Sequence, residues 1–587
     1  MYLGELSKED WLSGQAETQF QGESMSHELA ALLVTITIQH SLNNKLPAFV
    51  ILLDAESAFD LVRREILVRR LYFDTTKDQR VRYFDLRLAN RTTYCQWDGE
   101  LMGPINDELG EEQGGPNSSE FYKIYNNEQL TSAQESGLGV TVDNVHVASA
   151  GHADDCALMA NFTHQLQHLL DLSLAYCAKY QVKLSTAKTK LLVFSPHNCE
   201  AAEYAKLITP IHIGDTTIPF VDTAEHVGIL RSVSGNLPHI HQRIVKHKKA
   251  LASILFTGMA RRHRASPLAS LQAERIFGSP VLFSGMAALI LNKSEVEIIA
   301  QHVKQTVQNL LKLHQKTPDV VIFMISGTLP GEALLHMKQL TLFGMITRLP
   351  NNILFEIAKQ NFLHGDKKSW FFQILALCNK YCLPHPLSLL QSPPKKGPFK
   401  TLLKLKITDY WQTQLRERSS ELSSLKYFKP EYMSLLKPHP ILGTVTNCYD
   451  VNKMVIQLRM LSGRYRVGSL LSHFIPSHFG LCELCDGEIE DLPHLLLPRC
   501  PSLQEMRALL LDYSRSVLGN SSVCTAILET ILKGTDETCV QFLLDCSVLP
   551  MVISANQADR NVLPHLFKVT RTWCYSLHRT RLKLLSR

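Results

Sequence analysis

The run of apolar residues from Ala48 to Leu53 constrains the fold of this chain more than any other segment. A continuous apolar run of this length is typical of a β-strand that is covered on both faces of its sheet. The run ends abruptly at Asp54, and the end of a central strand is where such folds place active-site groups. Asp54 could instead cap the helix predicted to follow it. Both interpretations remain open on this segment alone.

A pair of adjacent acids, Asp154 and Asp155, is the second constraint. Apolar arms rich in Val and Ala flank the pair between Val145 and Ala160, which predicts a β-hairpin with both acids at its tip. Adjacent carboxylates repel each other unless a cation lies beside them. The pair is therefore either a solvated turn or half of a divalent-metal site, and the hairpin alone does not separate the two.

Length, charge and the lack of sorting signals narrow the class of protein. A chain of 587 residues is too long for one hydrophobic core, and roughly two to four domains are expected. The formal net charge of +6 suggests an anionic partner without requiring one. We find no secretory signal, no apolar run of the ~20 residues that a membrane span needs, and no disulfide framework among the 14 cysteines. We therefore expect an intracellular chain, in the cytoplasm, the nucleus or both, with reduced thiols and no membrane partner.

Hydrophobic periodicity predicts the elements around these acids. A glycine-rich turn at 113–116 precedes an aromatic helix at 121–125, and glycine lets a backbone approach a ligand closely. Such a turn is also ordinary before a helix. The remaining predictions are helices over 24–42 and 164–180, a strand over 191–194, a short apolar element over 226–230, a mostly helical segment over 240–345 and an exposed joint at 393–397.

Basic residues recur along the helical segment. Arg243, Lys246 and Lys249 follow each other at three-residue spacing, and Arg261 and Arg262 come next. Contacts to phosphate need flexible cations on an exposed face, and this spacing supplies them. A solvated helix surface would look the same, so both interpretations remain open.

Three cysteines and a histidine towards the C-terminus have the spacing of a zinc site. Cys482 and Cys485 form one half of a tetrahedral site, and His494 and Cys500 complete a Cys₃His set. Gly487 permits the turn that such a knuckle needs. Three buried thiols beside an unrelated histidine are the alternative, and the spacing favours zinc. A second constellation, which lacks an obvious fourth ligand, is interpreted as core cysteines beside a histidine: Cys378, Cys382 and His385.

Five of these signals occur in a fixed order. They are Asp54, the turn Gln113–Pro116, the hairpin Ala153–Asp155, Lys188 before a strand, and Gly228 in a short apolar element. This order resembles the palm of reverse transcriptases, specifically those of non-LTR (LINE-type) retrotransposons. The cysteine cluster resembles the zinc knuckle that follows the polymerase in that group. The resemblance covers roughly residues 16–345 and 440–505.

The resemblance implies a role for each matching residue. Asp54, Asp154 and Asp155 match the acids that bind two Mg²⁺ ions, and Lys188 matches the lysine near the leaving phosphates. The helices after residue 233 resemble the thumb, whose cations would hold the template–primer backbone. The remaining matches are Phe59 as the bulky gate that excludes a ribose 2′-OH, Gln113 and Gly114 beside the template and incoming nucleotide, and Gly228 in the primer grip.

Two departures from the family pattern bear on activity. His152 stands before Ala153, where the family usually has an aromatic residue, and this changes the packing under the primer terminus. The segment Thr18–Gly22 resembles a mid-fingers motif, and neither the earlier fingers strands nor an N-terminal endonuclease precedes it. We therefore expect an N-terminally truncated copy or a partial gene.

Together these features predict an α+β right-hand polymerase with partial fingers, a palm, a helical thumb and a C-terminal zinc-knuckle region. The expected function is RNA-directed DNA polymerisation, by two-metal nucleotidyl transfer from a dNTP to a primer 3′-OH on an RNA template. The alternative is a catalytically inactive retrotransposon remnant that only binds nucleic acid. Two Mg²⁺ ions and a structural Zn²⁺ are the expected cofactors. The expected domains are partial fingers over 1–47, a palm over 48–232, a thumb over 233–345, a helical connection over 346–440, and a zinc-knuckle region with a basic tail over 441–587.

Overall fold

The computed structural model of the chain divides into two compact units. Unit 1 comprises Met1–Arg243, Phe283–Glu295 and Leu335–Lys404, and unit 2 comprises Ile244–Leu282, Val296–Leu334 and Leu405–Arg587. Each unit is assembled from separate chain segments, and the five-part division expected from the sequence stays a prediction. The structure describes residues 17–20, 25–74, 81–82, 85–86, 88–89, 91–107, 109–111, 118–196, 209–256, 266–364, 366–445, 447–475, 479–485 and 487–586.

The strands of the described residues all lie in unit 1. In chain order they are β1 (Ala48–Leu53), β2 (Arg91–Trp97), β3 (Glu100–Asp107), β4 (Val140–Val142), β5 (Val145–Val147), β6 (Ser149–His152), β7 (Asp155–Ala160), β8 (Lys190–Phe194), β9 (His212–Ile213), β10 (Thr216–Thr217), β11 (Thr223–His226) and β12 (Ile229–Ser232).

Helices occur in both units. In the part of the chain that the structure describes, no single helix is long and apolar enough to cross a membrane; one pair, Asp319–Ser326 with Gly331–Ile346, meets the criteria of length and composition jointly but is bent by 59°. In chain order the α-helices are α1 (His27–Asn43), α2 (Arg64–Asp74), α3 (Ser118–Glu135), α4 (Thr163–Tyr180), α5 (Leu237–Phe256), α6 (Pro267–Ala273), α7 (Ser279–Phe283), α8 (Lys293–Leu310), α9 (Asp319–Ser326), α10 (Gly331–Ile346), α11 (Ile353–His364), α12 (Trp370–Lys380), α13 (Pro386–Gln391), α14 (Lys396–Ser420), α15 (Pro440–Gly443), α16 (Cys448–Leu461), α17 (Gly468–Leu471), α18 (Leu492–Leu496), α19 (Gln504–Leu518), α20 (Ser522–Leu532), α21 (Asp536–Leu544), α22 (Pro550–Ala558) and α23 (Val562–Leu585).

A four-stranded antiparallel sheet organises unit 1. Its strand order is β6-β7-β1-β8, so the apolar run identified in the sequence is a central strand, as predicted. Every residue of β1 is buried, because the two faces of the strand are both covered. Phe49, Ile51 and Leu53 pack into one hydrophobic cluster with leucines of α4. Val50 and Leu52 alternate with them and are buried as well, and α1 contacts the sheet at β1, β6 and β7.

The hairpin predicted over 145–160 is divided between two hairpins. β6 and β7 form the arms next to the acids, with His152 opposite Asp155. Val145–Val147 pairs instead with β4, in a separate two-stranded sheet. The single-hairpin prediction was therefore wrong for its first arm, because the break at Ala148 starts a new strand that joins the main sheet.

The other predicted elements differ from the structure in their details. The helices predicted over 24–42 and 164–180 are confirmed as α1 and α4, the first with Ser26 as its N-cap residue. The strand over 191–194 is confirmed as β8. The joint at 393–397 is exposed, but only 393–395 lie between helices, because α14 already begins at Lys396.

Candidate functional site

Three carboxylates gather at one end of the sheet of unit 1. Asp54 directly follows β1, and Asp155 is the first residue of β7. β1 and β7 are antiparallel with Leu53 opposite Cys156, so the next pair along this register is Asp54 and Asp155. Asp154 lies in the turn between β6 and β7, where Ala153 has a left-handed backbone with φ +57°. The structure thus brings the three acids together, although Asp54 lies far before the other two in the sequence.

Asp54 does not cap the helix that follows. α2 begins only at Arg64, beyond a turn that contains Phe59. The backbone carbonyl of Asp54 accepts a hydrogen bond from the N–H of Ser185 at 2.9 Å, which fixes the loop carrying Lys188 beside the strand end. The capping interpretation is therefore wrong, and the side chain of Asp54 is available at the sheet edge.

The electrostatics of the acids show that they are crowded. Burial, followed by the negative charges of Asp154, Asp54 and Glu225, raises the pKa of Asp155 to about 6. Each of these causes disfavours the carboxylate form in the absence of a cation. Glu225, an exposed residue on β11, was not identified from the sequence, where it carries no motif.

Lys188 is the cation that the structure places against this group. Its Nζ lies 3.2 Å from Oδ2 of Asp54, and its side chain is 69% exposed. Oδ2 of Asp54 is itself buried and has no hydrogen-bond partner among the described residues. An exposed lysine is mobile, so it leaves this oxygen free to bind another cation.

The donor set fits a hard divalent ion. Carboxylate oxygens are the ligands that Mg²⁺ prefers in proteins. Oδ2 of Asp54 is buried without a hydrogen bond among the described residues, and the cation beside it belongs to the largely exposed Lys188. Among the described residues, these acids do not belong to any group of three or more ligand atoms that all lie within 4.8 Å of one another. Their arrangement is therefore more open than a single-ion cage, and a two-ion site requires ligands spread over both ions.

An aromatic pair lies beside the acids. The ring of Phe59 packs on Tyr122 of α3, with 4.8 Å between the ring centroids. Tyr122 is buried, and its pKa is raised by burial and then by the charge of Asp154. Tyr125 and Tyr176 pack in the same cluster. The sequence marked this segment as an aromatic helix but did not assign Tyr122 a role.

The turn containing Gln113 and Gly114 lies outside the described residues, as do Arg261 and Arg262. The residues leading into the turn are described. The backbone N–H of Glu111 donates to the carbonyl of Phe59 at 2.8 Å. The start of the predicted nucleotide-binding turn is thus attached to the segment that carries the predicted gate.

Gly228 lies in the two-residue turn of the β11–β12 hairpin. Val227 and Gly228 have φ values of +44° and +74°, the left-handed conformation that such hairpin turns need. Arg231 of β12 is buried and donates to the carbonyl of Ala31 in α1 at 2.6 Å, which attaches the hairpin to the sheet layer.

The cations predicted to contact phosphate differ in exposure. Arg243 is 7% exposed and donates a hydrogen bond to the carbonyl of Gly228. Lys249 is exposed and Lys246 is half-buried. The contact of Arg243 assigns it a structural role in the hairpin, while its phosphate role and those of the two lysines stay predictions.

His152 contacts the segment Gln19–Phe20, which pairs with β6 at the edge of the main sheet. Phe20 and Gly151 are joined by a backbone hydrogen bond of 2.9 Å, next to a parallel bridge between Gln19 and Gly151. Nδ1 of His152 lies 2.9 Å from the carbonyl of Phe20. Burial lowers the pKa of His152, so the ring is neutral at pH 7 and donates from Nδ1. A polar ring suits this position because a backbone acceptor faces it.

A second candidate centre lies in unit 2. The ligand atoms of Cys482, Cys485, His494 and Cys500 all lie within 4.8 Å of one another. The sulfurs of Cys482 and Cys500 are 3.9 Å apart, much farther than in a disulfide, and Sγ of Cys485 lies 3.5 Å from Nε2 of His494. Three sulfurs and one nitrogen that converge in this way fit a tetrahedral Zn²⁺.

The surroundings of this centre orient its ligands. Nδ1 of His494 lies 3.2 Å from the carboxylate of Glu488, which leaves Nε2 facing the sulfurs. Arg507 donates to the backbone carbonyls of Cys500 and His494. Burial raises the pKa of the Cys482 thiol to about 12, so a metal ion is needed to hold this thiolate at pH 7. Glu488 and Arg507 were not identified from the sequence.

Gly487 lies in a bend of the loop between Cys485 and His494, and its role in the turn stays a prediction. One expectation about this region is corrected. In the second cysteine constellation Cys378 is buried but Cys382 is exposed, so only the first is a core cysteine. Neither belongs to a metal-binding group among the described residues.

Comparisons with known proteins agree with the first centre. Residues 15–230 match the family model described as reverse transcriptase (RNA-dependent DNA polymerase). The three carboxylates, Phe59, Lys188 and Gly228 all lie inside the matched region. No curated protein matches the chain significantly.

Proposed function

We propose that this chain carries an RNA-directed DNA polymerase, the reverse transcriptase of a non-LTR (LINE-type) retrotransposon. The observation that supports it most is the position of Asp54 beside Asp155 at one end of an antiparallel sheet, inside the region that matches the reverse transcriptase family. If Asp154 and Asp155 only formed a solvated turn, there would be no reason for the neighbouring strand to end in a third acid. The arrangement instead supplies the ligands that nucleotidyl transfer requires.

Asp54, Asp154 and Asp155 would hold Mg²⁺ in this reaction. When bound, the ions lower the pKa of the primer 3′-OH and neutralise charge on the departing pyrophosphate. Lys188, exposed and 3.2 Å from Asp54, is close enough to the acids to donate a proton to the pyrophosphate. Its contact with Asp54 in this structure would be exchanged for a contact with phosphate when a nucleotide binds.

The neighbouring residues would select and position the substrates. Phe59 follows Asp54 in a turn, and its ring packs on Tyr122, which supports a role in excluding a ribose 2′-OH. The β11–β12 turn at Gly228, held by Arg243, would support the primer end. Glu225 on the same hairpin contributes to the charge at Asp155, which links this hairpin to the acids.

The cysteine centre would hold a structural Zn²⁺ rather than take part in nucleotide transfer. The four side chains would fill all four positions of a tetrahedral ion, which would leave none open for a substrate.

Primer extension on an RNA template with Mg²⁺ and dNTPs tests the polymerase. Wild type should extend the primer and Asp154→Ala should lose at least about 100-fold in rate, because one of the metal ligands is removed. Asp154 lies in a turn and is partly exposed, so the fold should survive. Asp215→Ala, which removes an exposed acid in another turn of unit 1, should extend like wild type.

Lack of extension by wild type, together with salt-sensitive RNA binding, would reject the polymerase. That outcome would favour the alternative, a catalytically inactive remnant that only binds nucleic acid. Equal loss in Asp154→Ala and Asp215→Ala would show that the loss is not specific to the proposed metal ligands.

A further inference from the structure

We propose that Arg459, Arg464 and Arg466 form a second phosphate-binding surface, in unit 2, that holds nucleic acid outside the polymerase site. Arg459 lies in the last turn of α16, and the other two follow the helix. The chain turns at Gly463, which has φ +63°; a Cβ there would lie 2.3 Å from the carbonyl oxygen of Ser424. The backbone N–H of Arg464 donates to the carbonyl of Arg459 at 2.9 Å, so the turn that carries the arginines is well defined.

Within the described residues, the side chains of these three arginines make neither hydrogen bonds nor ion pairs. The Nε atoms of Arg459 and Arg464 are buried without a hydrogen bond. Some other buried or half-buried arginines of unit 2 have partners for their terminal nitrogens, although Nε of Arg571 also lacks a hydrogen bond. They are Arg571 with Asp450 and Thr444, Arg581 with Glu490, and Arg416 with the backbone carbonyls of Pro430, Glu431 and Met433. A buried guanidinium N–H without an acceptor is costly, so an acceptor from outside the chain is expected.

Further cations surround the arginines. His314 lies in the loop after α8, and its pKa is lowered by burial and then by Arg459, Arg464, Arg466 and Lys316. Two chain segments therefore contribute positive charge to the surface: α16 with the turn that follows it, and the loop after α8.

The C-terminal helix α23 borders the same surface. The hydroxyl of Tyr465 lies 2.9 Å from Nδ1 of His578, which fixes the arginine-bearing turn against this helix. Burial, then Arg581, Arg459 and Arg579, lower the pKa of His578. Arg579 is exposed, and it extends the cationic surface along the helix.

The chemistry of the surface favours the phosphates of a nucleic acid. The helix dipole stabilises a cation at a helix C-terminus, which explains the position of Arg459 in the last turn of α16. It does not explain why three arginines that lack acceptors within the described residues occur together. Arginine presents several N–H donors in a planar fork that matches phosphate oxygens. The choice of nucleic acid over other polyanions rests on the proposed function, since a polymerase must hold a template and primer.

Binding of fluorescently labelled single-stranded RNA to the full chain tests this surface. The triple variant Arg459→Gln, Arg464→Gln, Arg466→Gln should bind about tenfold or more weakly at moderate salt. Each lost contact to single-stranded nucleic acid removes about 0.7 from the slope of log K against log salt, so the slope should become shallower by about 2. The variant should unfold close to the wild-type temperature, because the three side chains make no hydrogen bond or ion pair within the described residues.

A matched control keeps the change in net charge the same. The triple variant Arg418→Gln, Lys533→Gln, Arg560→Gln removes three exposed cations of unit 2 that lie elsewhere in the chain. It should retain most of the affinity and slope of wild type. Equal losses in the two triple variants, or an unchanged slope in the arginine variant, would overturn the inference.

The binding measurement does not depend on catalysis. If wild type fails to extend primers but the arginine variant still loses RNA binding selectively, the polymerase proposal fails and this surface stands. If wild type extends primers and the arginine variant binds RNA like the control, this surface fails and the polymerase proposal stands.

Discussion

The carboxyl group of Asp155 carries the clearest electrostatic signature in unit 1. Its pKa of about 6 reflects burial and three neighbouring acids, and the unfolded chain would titrate it near ~3.9. The folded state therefore binds this proton more tightly than the unfolded state. Stability should fall as pH rises from about 4 to about 6, and a bound cation should reverse this loss.

The first prediction follows from that sign. Adding Mg²⁺ should raise Tm more above about pH 7 than at about pH 5, because protons and Mg²⁺ compete for Asp155 below its pKa. Thermal unfolding with and without Mg²⁺ at the two pH values measures this. Asp155→Asn should remove most of the difference, and a wild-type Tm increase that is the same at both pH values would contradict the prediction.

A second prediction concerns Tyr122, which supports the ring of Phe59. Tyr122→Ala should reduce the preference for dNTPs over rNTPs by about 2- to 10-fold, the equivalent of the ~0.5–1.5 kcal/mol of an aromatic pair. The ratio of kcat/KM for the two nucleotides measures it. Tyr122→Phe retains the ring and should keep the wild-type ratio, whereas an unchanged ratio in Tyr122→Ala would show that Phe59 needs no support from this residue.

At the scale of the elements, the proposed zinc knuckle is held by contacts within its own loop and by one ion pair to a distant helix. The backbone N–H of Cys482 donates to the carbonyl of Glu488 at 2.9 Å, which closes the loop around Cys485. Glu490, just beyond it, is buried and forms a bidentate pair with Arg581 of α23 at 2.6 and 2.7 Å. The knuckle is thus attached to the C-terminal helix by a contact that sequence spacing does not reveal.

The third prediction is that Cys485→Ser abolishes zinc binding by the full chain. A serine oxygen is a much weaker ligand than a thiolate, so the tetrahedral set is broken. The zinc content of the purified protein measures this. Cys539→Ser, at a half-buried cysteine outside the cluster, should leave the zinc content unchanged. Zinc retained by Cys485→Ser would mean that other residues bind it.

At the scale of the whole molecule, each unit has its own proposed metal chemistry. Unit 1 contains the carboxylates of the proposed Mg²⁺ site, while unit 2 contains the cysteine thiols of the proposed Zn²⁺ site. The two sites should therefore respond to different chelation conditions. Structural zinc contributes directly to folding, whereas the antiparallel sheet of unit 1 is covered by apolar side chains and needs no ion to form.

The fourth prediction tests this independence by hydrogen exchange. A zinc-selective chelator, added with excess Mg²⁺, should reduce the protection of backbone amides in α18 and in the half of α23 near Arg581. The amides of β1 and β7 should keep their protection. Loss of protection in both units to the same extent would show that zinc supports more of the molecule than the knuckle.

The order of the chemical groups could be recognised from the sequence because it depends on local patterns. An apolar run of six residues ending in Asp54 determined a buried central strand, and the adjacent acids determined a turn beside a strand. The spacing of Cys482, Cys485, His494 and Cys500 determined a cluster whose ligand atoms do converge. In each case the decisive contacts lie within a strand, a hairpin or a short loop, where neighbours along the chain are neighbours in space.

Only the tertiary structure decided which distant residues share a site. The pairing of β1 with β7 brings Asp54, just after β1, to the end of the sheet where β7 begins at Asp155, and no local pattern selects β7 over another strand. Glu225, on a separate hairpin, raises the pKa of Asp155 by its negative charge. The side chain of Arg243 donates a hydrogen bond to Gly228, whereas its spacing in the sequence suggested that it faces solvent. The arginines of α16 and of the turn after it, which are unpaired within the described residues, could be recognised only once the acids around them had been placed. Electrostatic and packing contacts depend on distance in space, which the order of residues along the chain does not specify.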